Sequence, residues 1–149
     1  THSLVGWITG KTTRQDIALL VIGALIPDLT KLNLGVVWLG LKNYHLFEPL
    51  HTPIGACLIA GIIALCFQEP KKAFLPLGIG VLTHFILDFC LVHTHGDMKL
   101  LYPFSWDGWQ LNGYCSDDYR VTLVALSATI LVYSAYQYQK NWKNPSIHQ

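Results

Sequence analysis

The chain has 149 residues, of which 52% are hydrophobic and only 13% are charged, and its mean hydropathy is +0.36. Soluble domains carry about 25% charged residues, so this composition argues against a soluble globule. Ten basic and nine acidic side chains give a net charge of +1, which leaves no basic surface for a nucleic-acid backbone. The length fits one domain, residues 1–149. We therefore expect a single membrane-embedded domain that does not bind nucleic acid.

The N-terminal part contains two short apolar segments. Residues 2–10 and 17–27 lack charged side chains, and both are shorter than the roughly 20 residues that a membrane-spanning helix requires. They predict a hairpin of two short helices, 2–10 and 15–27, joined through residues 11–13. No pattern of a cleaved secretory signal precedes residue 15.

Three longer neutral windows follow, residues 49–68, 73–96 and 121–139, and their one charged side chain is Asp88. Each window reaches the roughly 20 residues needed to cross a bilayer. Together with the hairpin they predict an all-α fold, an integral membrane bundle of about four long helices plus a short N-terminal helical piece.

Helix boundaries are indicated by prolines. Thr52 and Pro53 are typical of an N-cap and a first helical position, and Pro70 ends that helix near residue 68, because the residue before a proline disfavours the helical conformation. Pro76 is tolerated in the first turn of the next helix, which is expected to run to about residue 92. No segment alternates as a strand does, so no strand is predicted.

One long loop is predicted at residues 94–119. This segment contains glycine, proline, aspartate, asparagine and six aromatic residues, and it shows no helical period. Loops of this length are often functional. We therefore expect the loop to lie beside a functional site.

The distribution of charge predicts an orientation. Alternating helices bring six basic residues to one end of the bundle: Lys11, Arg14, Lys71, Lys72, Lys140 and Lys143. The opposite end carries more acidic than basic residues. Because basic residues are enriched on the cytoplasmic side of membrane proteins, we expect the long loop and any site beside it to face the outer side.

Two ionisable residues interrupt the second long window. A central aspartate costs about 2.5–3.5 kcal/mol on insertion scales, so it requires a partner or a function. His84 and Asp88 are four residues apart and share one helix face, where they could bind one metal ion. Alternatively, His84 forms a hydrogen bond with Asp88 or a backbone carbonyl and the pair only stabilises packing.

Residues from several helices are expected at a similar depth. Counting about 1.5 Å per residue from the basic end places His84 and Asp88 at about 18–24 Å, Asp28 at about 21 Å and His51 at about 29 Å. His2 also faces the end away from the basic residues, but it reaches only about 14 Å. Imidazole and carboxylate side chains in one apolar pocket suit a divalent metal such as zinc or manganese in a hydrolytic site.

Two further histidines begin the long loop. His93 and His95 could be additional ligands, or a general acid or base, because imidazole titrates near neutral pH. They fit ordinary interfacial histidines equally well. Together with Asp88 they are the candidate catalytic residues.

Four segments carry a resemblance to a known family: GALIPDLTK (23–31), HTPIG (51–55), LTHFILD (82–88) and KLLYPFSW (99–106). In order and spacing they resemble the YdjM-type family of membrane-bound, metal-dependent hydrolases over nearly the whole chain. That family is similar in motif to the zinc-dependent phospholipase C group, whose members hydrolyse phosphoesters. The resemblance implies an inner-membrane location and metal ligation by His2, Asp28, His51, His84 and Asp88.

Two functions are therefore open. The first is a membrane-bound hydrolase in which a metal-activated water attacks a phosphoester or a lipid-type substrate. The second is a non-catalytic membrane scaffold or assembly subunit with a structural His/Asp cluster. Motifs of zincin proteases, serine hydrolases and nucleotide-binding proteins are absent from the sequence. Membrane lipid is the expected partner in both cases, and the oligomeric state is left open.

Overall fold

The computed structural model describes residues 1–31, 35, 38, 48–92, 98–111, 113–115 and 118–143. This part of the chain is mostly helical. Its five α-helices are α1 (His2–Thr13), α2 (Ile17–Leu25), α3 (Pro53–Leu65), α4 (Pro70–Phe89) and α5 (Tyr119–Lys143). Two 3-10 turns, Pro27–Lys31 and Glu48–His51, precede α3, and two short strands, β1 (Leu91–Val92) and β2 (Tyr114–Cys115), lie between α4 and α5.

The predicted N-terminal hairpin is present, but its turn lies further along the chain. Helix α1 continues through Thr13, where a turn was expected at 11–13, and it ends at Arg14 in the left-handed conformation (φ 57°). The hydroxyl of Thr13 donates to a carbonyl of the preceding helical turn, which is compatible with a continued helix. Asp16 then caps α2 by accepting hydrogen bonds from two backbone N–H groups.

The two middle helices also differ from the predicted bounds. Helix α3 ends at Leu65 rather than near residue 68. Helix α4 begins at Pro70, which is in its first turn, so Pro76 lies inside the helix and not in the first turn as expected. The prediction assigned the wrong proline to the helix start, because either proline satisfies the requirement for an N-terminal position.

The expectation that no strand is present is wrong at four residues. β1 and β2 pair in parallel, with Leu91 opposite Tyr114 and Val92 opposite Cys115. A strand of two residues is too short to show an alternating pattern, so the sequence gives no signal for it. In the described part of the predicted loop 94–119, an isolated antiparallel bridge between Met98 and Trp109 closes a hairpin-like segment, 98–109.

Small residues hold α2 and α4 close together. A side chain added at Gly23 would overlap the backbone carbonyl of Leu77, and one added at Gly80 would overlap the carbonyl of Leu20. Close approach through small residues is typical of helix pairs in membranes. On its other side α4 packs against α3, which contributes small buried residues at four-residue intervals: Ala56, Ala60 and Ala64.

Among the described residues, two helices are long and apolar enough to cross a membrane. These are α4 over its full 20 residues and α5 over Tyr119–Gln139, whereas the apolar α3 has only 13 residues. The sequence predicted about four long helices, so the structure supports this number only in part.

The helices place the lysines at one end and the His/Asp residues at the other. Thr1 and Thr122 join the starts of α1 and α5 by a hydrogen bond between their hydroxyls (2.9 Å), and Lys11 lies over the ring of Tyr136 near the other end of both helices. Helix α4 begins with Lys71 and Lys72 and ends beside the start of α1. His2 therefore meets the C-terminal half of α4, away from the lysines.

Candidate metal centre

The close crossing of α2 and α4 fixes one imidazole. His84 lies one helical turn after Gly80, and its Nδ1 is 2.8 Å from the carbonyl oxygen of Ala24 in the last turn of α2. Carbonyls in the last turn of a helix lack an intrahelical donor, and Pro27 supplies no N–H group at this end. Because a carbonyl only accepts hydrogen bonds, Nδ1 of His84 must carry the proton.

The second nitrogen of this ring faces a carboxylate in the interior. His84 is completely buried, and its Nε2 lies 3.1 Å from Oδ2 of Asp88. In the neutral ring the lone pair of Nε2 therefore faces a carboxylate. Two electron-rich atoms at this distance are favourable only when a cation or a proton lies between them.

A second imidazole comes from the start of α1. Nε2 of His2 lies 3.2 Å from Oδ1 of Asp88, and the ring of His2 stacks on that of His84 with centroids 4.0 Å apart and an angle of 21°. Two stacked imidazolium rings would repel each other. The stacking therefore favours neutral imidazole for at least one of the two, which is the form that binds metals.

A third imidazole comes from the turn before α3. His51 places Nε2 at 3.0 Å from Oδ2 of Asp88. The hydroxyl of Thr52 accepts a hydrogen bond from the N–H of Gly55 and donates one to the carbonyl of Pro49. Gly55 is required because a side chain there would overlap that same carbonyl. The HTPIG segment is thus a local structure that aims His51 at α4.

The arrangement fits a metal ion. Among the described residues, His2, His84 and Asp88 offer ligand atoms within 4.8 Å of one another. Two ligand atoms about 2.1 Å from a tetrahedral zinc ion lie roughly 3.4 Å apart, close to the 3.1 and 3.2 Å that separate Asp88 oxygens from the two Nε2 atoms. His51 approaches the same carboxylate. Ligation by these residues remains a prediction, supported by their convergence.

The structure does not bring Asp28 into this group. Its carboxylate pairs with the Lys31 ammonium at 2.8 Å, three residues along the same turn. That turn, Pro27–Lys31, contacts the turn that carries His51. The turn that carries Asp28 is therefore next to the cluster, while the Asp28 carboxylate pairs with Lys31. Its predicted role as a ligand is untested.

Three residues were predicted to be catalytic. Two of them, His93 and His95, lie outside the described residues. The third candidate, Asp88, lies at the centre of the cluster, where three imidazoles contact its two oxygens.

Sequence reasoning missed two elements of the site. One is the carbonyl of Ala24, which sets the tautomer of His84, and the other is Phe85, whose ring packs edge-on against His51 and His84 with centroids 5.8 Å away from both. The sequence contained a signal for the Ala24 contact, because glycines inside apolar helices often mark a close approach of two backbones. Phe85 carries no such signal.

Comparison with known proteins identifies a family. No curated protein and no solved structure matches the chain. The family model described as YdjM inner membrane protein matches residues 1–146. This match covers nearly the whole sequence, including all the residues of the cluster. The chain therefore belongs to the YdjM inner membrane protein family.

Proposed function

We propose that the protein is a membrane-bound hydrolase that uses a divalent metal, zinc or manganese, to cleave a phosphoester or a lipid-type substrate. His2, His84 and Asp88 would hold the ion, with His51 beside them. The observation that carries the proposal is the convergence of Nε2 of His2 and of the buried His84 on the carboxylate of Asp88, with the two imidazole rings stacked. This set of nitrogen and oxygen donors suits such ions.

A bound divalent ion would supply an activated water at neutral pH and polarise the bond to be cleaved. The chain itself supplies orientation and proton transfer. Ala24 holds the ring of His84 through Nδ1, and Phe85 packs against it. His51 has the most exposed imidazole of the three, at 28%, and its Nε2 is placed to pass a proton to or from Oδ2 of Asp88. His93 and His95 remain candidates for a second acid or base.

We further propose an integral helical bundle with the cluster on the outer side of the membrane. The support is the separation of charge: Lys11, Lys71 and Lys72 lie at the end of the helices away from His2 and Asp88. A reporter fused after Gln149 should then be active only as a cytoplasmic marker. Activity of a periplasmic or extracellular marker at that position would contradict this orientation.

The hydrolase is tested with metal-replete protein in detergent. We expect cleavage of at least one phosphomonoester or phosphodiester, including lipid esters, and loss of cleavage on chelation with recovery when metal is returned. Failure over a broad panel, with metal demonstrably bound, would contradict catalysis.

The alternative is a structural cluster in a non-catalytic scaffold. One observation favours it: Asp88 links α1, α4 and the turn of His51, so its contacts also hold these segments together. In that case Asp88→Asn would destabilise the fold, because removing one partner of a buried charged group costs about 3–5 kcal/mol. Metal content would be the same in the wild type and the variant.

A further inference from the structure

An apolar groove runs along α4 between this helix, α3 and the hairpin-like segment 98–109. Its volume is about 430 Å³, within the usual range for small-molecule sites. All of its lining residues are apolar or cysteine, and they include Gly78, Leu82, Phe85 and Leu100. The groove therefore offers a ligand no charged side chain along its walls, and its two thiols, of Cys57 and Cys90, form only weak hydrogen bonds.

The groove and the His/Asp cluster share a wall. Phe85 lines the groove, and its ring also packs edge-on against His51 and His84. Pro53, two residues after His51, lines the groove from α3. A molecule in the groove thus lies one aromatic ring away from the candidate metal centre.

The direction and the surroundings of the groove suit a lipid acyl chain. From Gly78 to Cys90 it follows α4 for about 18 Å, at about 1.5 Å per residue. It reaches the level of Asp88 only at its end near Cys90. Helix α4 is one of the two helices long enough to cross the membrane, and Leu82 and Ile86 on its rim are exposed. The medium beside these residues in the membrane is hydrocarbon.

The hairpin-like segment lies at the end of the groove near Cys90. Leu100 lines the groove, whereas Phe104 and Trp106 in the same segment are exposed, at 88% and 65%. Aromatic side chains are enriched at the boundary between lipid and water. The position of this segment agrees with a lipid headgroup at the level of the cluster and a chain that descends towards Gly78.

We propose that the groove holds an acyl chain of the substrate, so that the enzyme acts on a membrane lipid ester rather than on a water-soluble phosphoester. This inference rests on the proposed hydrolase and names its substrate class. The chain lies against Phe85, and the ester is held beside Asp88 at the outer end of α4.

Filling the groove tests the proposal. A Cβ added at position 78 would have only the ring of Phe74 within 4 Å, at 3.9 Å, and Gly78 lines the groove, so Gly78→Leu should fold and occupy the groove. Gly61→Leu is the matched control, because Gly61 lies inside α3, has no atom within 4 Å of an added Cβ and does not line the groove. Metal content and thermal unfolding of both variants are measured first, so that a folding defect is recognised.

The direct readout is photo-crosslinking in phosphatidylglycerol vesicles that contain a lipid with a diazirine on its acyl chain. We expect crosslinks on the α4 peptide 78–90 in the wild type and in Gly61→Leu, and about tenfold fewer in Gly78→Leu. In parallel, kcat/KM for a long-chain ester relative to a short-chain one should fall about tenfold in Gly78→Leu only.

Equal crosslinking of the wild type and Gly78→Leu, or an unchanged preference for chain length, would overturn the proposal. The two proposals fail separately. If no ester is cleaved but the crosslinks at 78–90 depend on Gly78, the groove binds an acyl chain and the hydrolase assignment is wrong. If short-chain and long-chain esters are cleaved equally well by all three proteins, the hydrolase stands and the lipid assignment is wrong.

Discussion

Helices α4 and α5 have similar hydropathy and very different surroundings. Both contain an apolar window long enough to cross a membrane, yet 44% of that window is buried inside the protein in α4 and only 6% in α5. Helix α4 carries Gly80, His84 and Asp88 on buried positions. In α5, Ala125 is the one buried apolar residue within the described part of the chain. Hydropathy therefore identifies both helices but does not separate the helix that carries the His/Asp cluster from the helix that is largely exposed.

The difference follows from how polar groups are tolerated. A charged residue in an apolar helix is costly unless other elements contact it. In α4, His2 and His51 contact the carboxylate of Asp88 directly, and the carbonyl of Ala24 holds His84 beside it. All of these contacts lie near one end of the helix. Helix α5 has no ionisable side chain between Arg120 and Tyr133, so it needs no such partners and can expose its apolar residues. Substitutions in the two helices should therefore have unequal effects.

The largest effect is expected for Asp88→Asn. The change keeps the shape of the side chain and removes the charge that would bind the ion, so metal affinity should fall by on the order of 100-fold or more. Metal content of the purified variant by elemental analysis checks this result. Asp16→Asn is the control, because Asp16 caps α2 at the opposite end and asparagine caps equally well. Retained metal in Asp88→Asn would mean that Asp88 is not a ligand.

Gly80→Ala tests the crossing that positions His84. Its added methyl group would overlap backbone atoms of α2, and overpacking of this kind costs about 1–3 kcal/mol. We expect this loss in unfolding free energy in detergent, together with weaker metal binding as the Ala24 carbonyl moves away from His84. Gly61→Ala, which meets no atom within 4 Å, should be neutral or slightly stabilising. Equal stability of the two variants would contradict the close packing of α2 and α4.

Thr52→Ala removes the N-cap of α3. Loss of an N-cap costs about 1 kcal/mol, and the turn that aims His51 also loses its hydrogen bond to Pro49. Chemical unfolding in detergent should show this cost. Thr12→Ala provides the comparison, since the Thr12 hydroxyl is exposed and bonds only to its own helix, and it should change stability by less than about 0.5 kcal/mol.

The smallest effect is expected in α5. Leu131 is 70% exposed, so Leu131→Ala should change the unfolding free energy by less than about 0.5 kcal/mol and leave metal content unchanged. A cost of several times this value would show that α5 packs against a partner, such as a second copy of the chain, and would weaken the contrast with α4.

Parts of this structure follow from local sequence rules. The i, i+4 spacing places His84 and Asp88 on one helix face, and the Thr52-Pro53 pair marks the start of α3, because both depend only on residues within one helical turn. Rise per residue placed His51 at about 29 Å from the basic end and His2 at only about 14 Å. The depth estimate for His2 was low by several ångströms relative to His84, although the two rings stack.

Other features depend on contacts between distant segments. The hydrogen bond from His84 to Ala24 joins residues 60 positions apart and exists only because the glycines let α2 and α4 meet. The Asp28 carboxylate pairs with Lys31 at i+3, and its role as a ligand stays a prediction. Pairing of β1 with β2 likewise depends on the path of the intervening chain, which no short pattern specifies.

Metal analysis of the wild-type protein tests the candidate centre most directly. Protein purified in detergent without added chelator should contain about one tightly bound divalent ion per chain, as expected for one site with two or more imidazole ligands and a carboxylate. His84→Ala, prepared in parallel, should contain much less, because it removes the buried Nε2 atom. Wild-type protein that stays free of metal after incubation with zinc or manganese, or an equal metal content in the two proteins, would contradict the assignment.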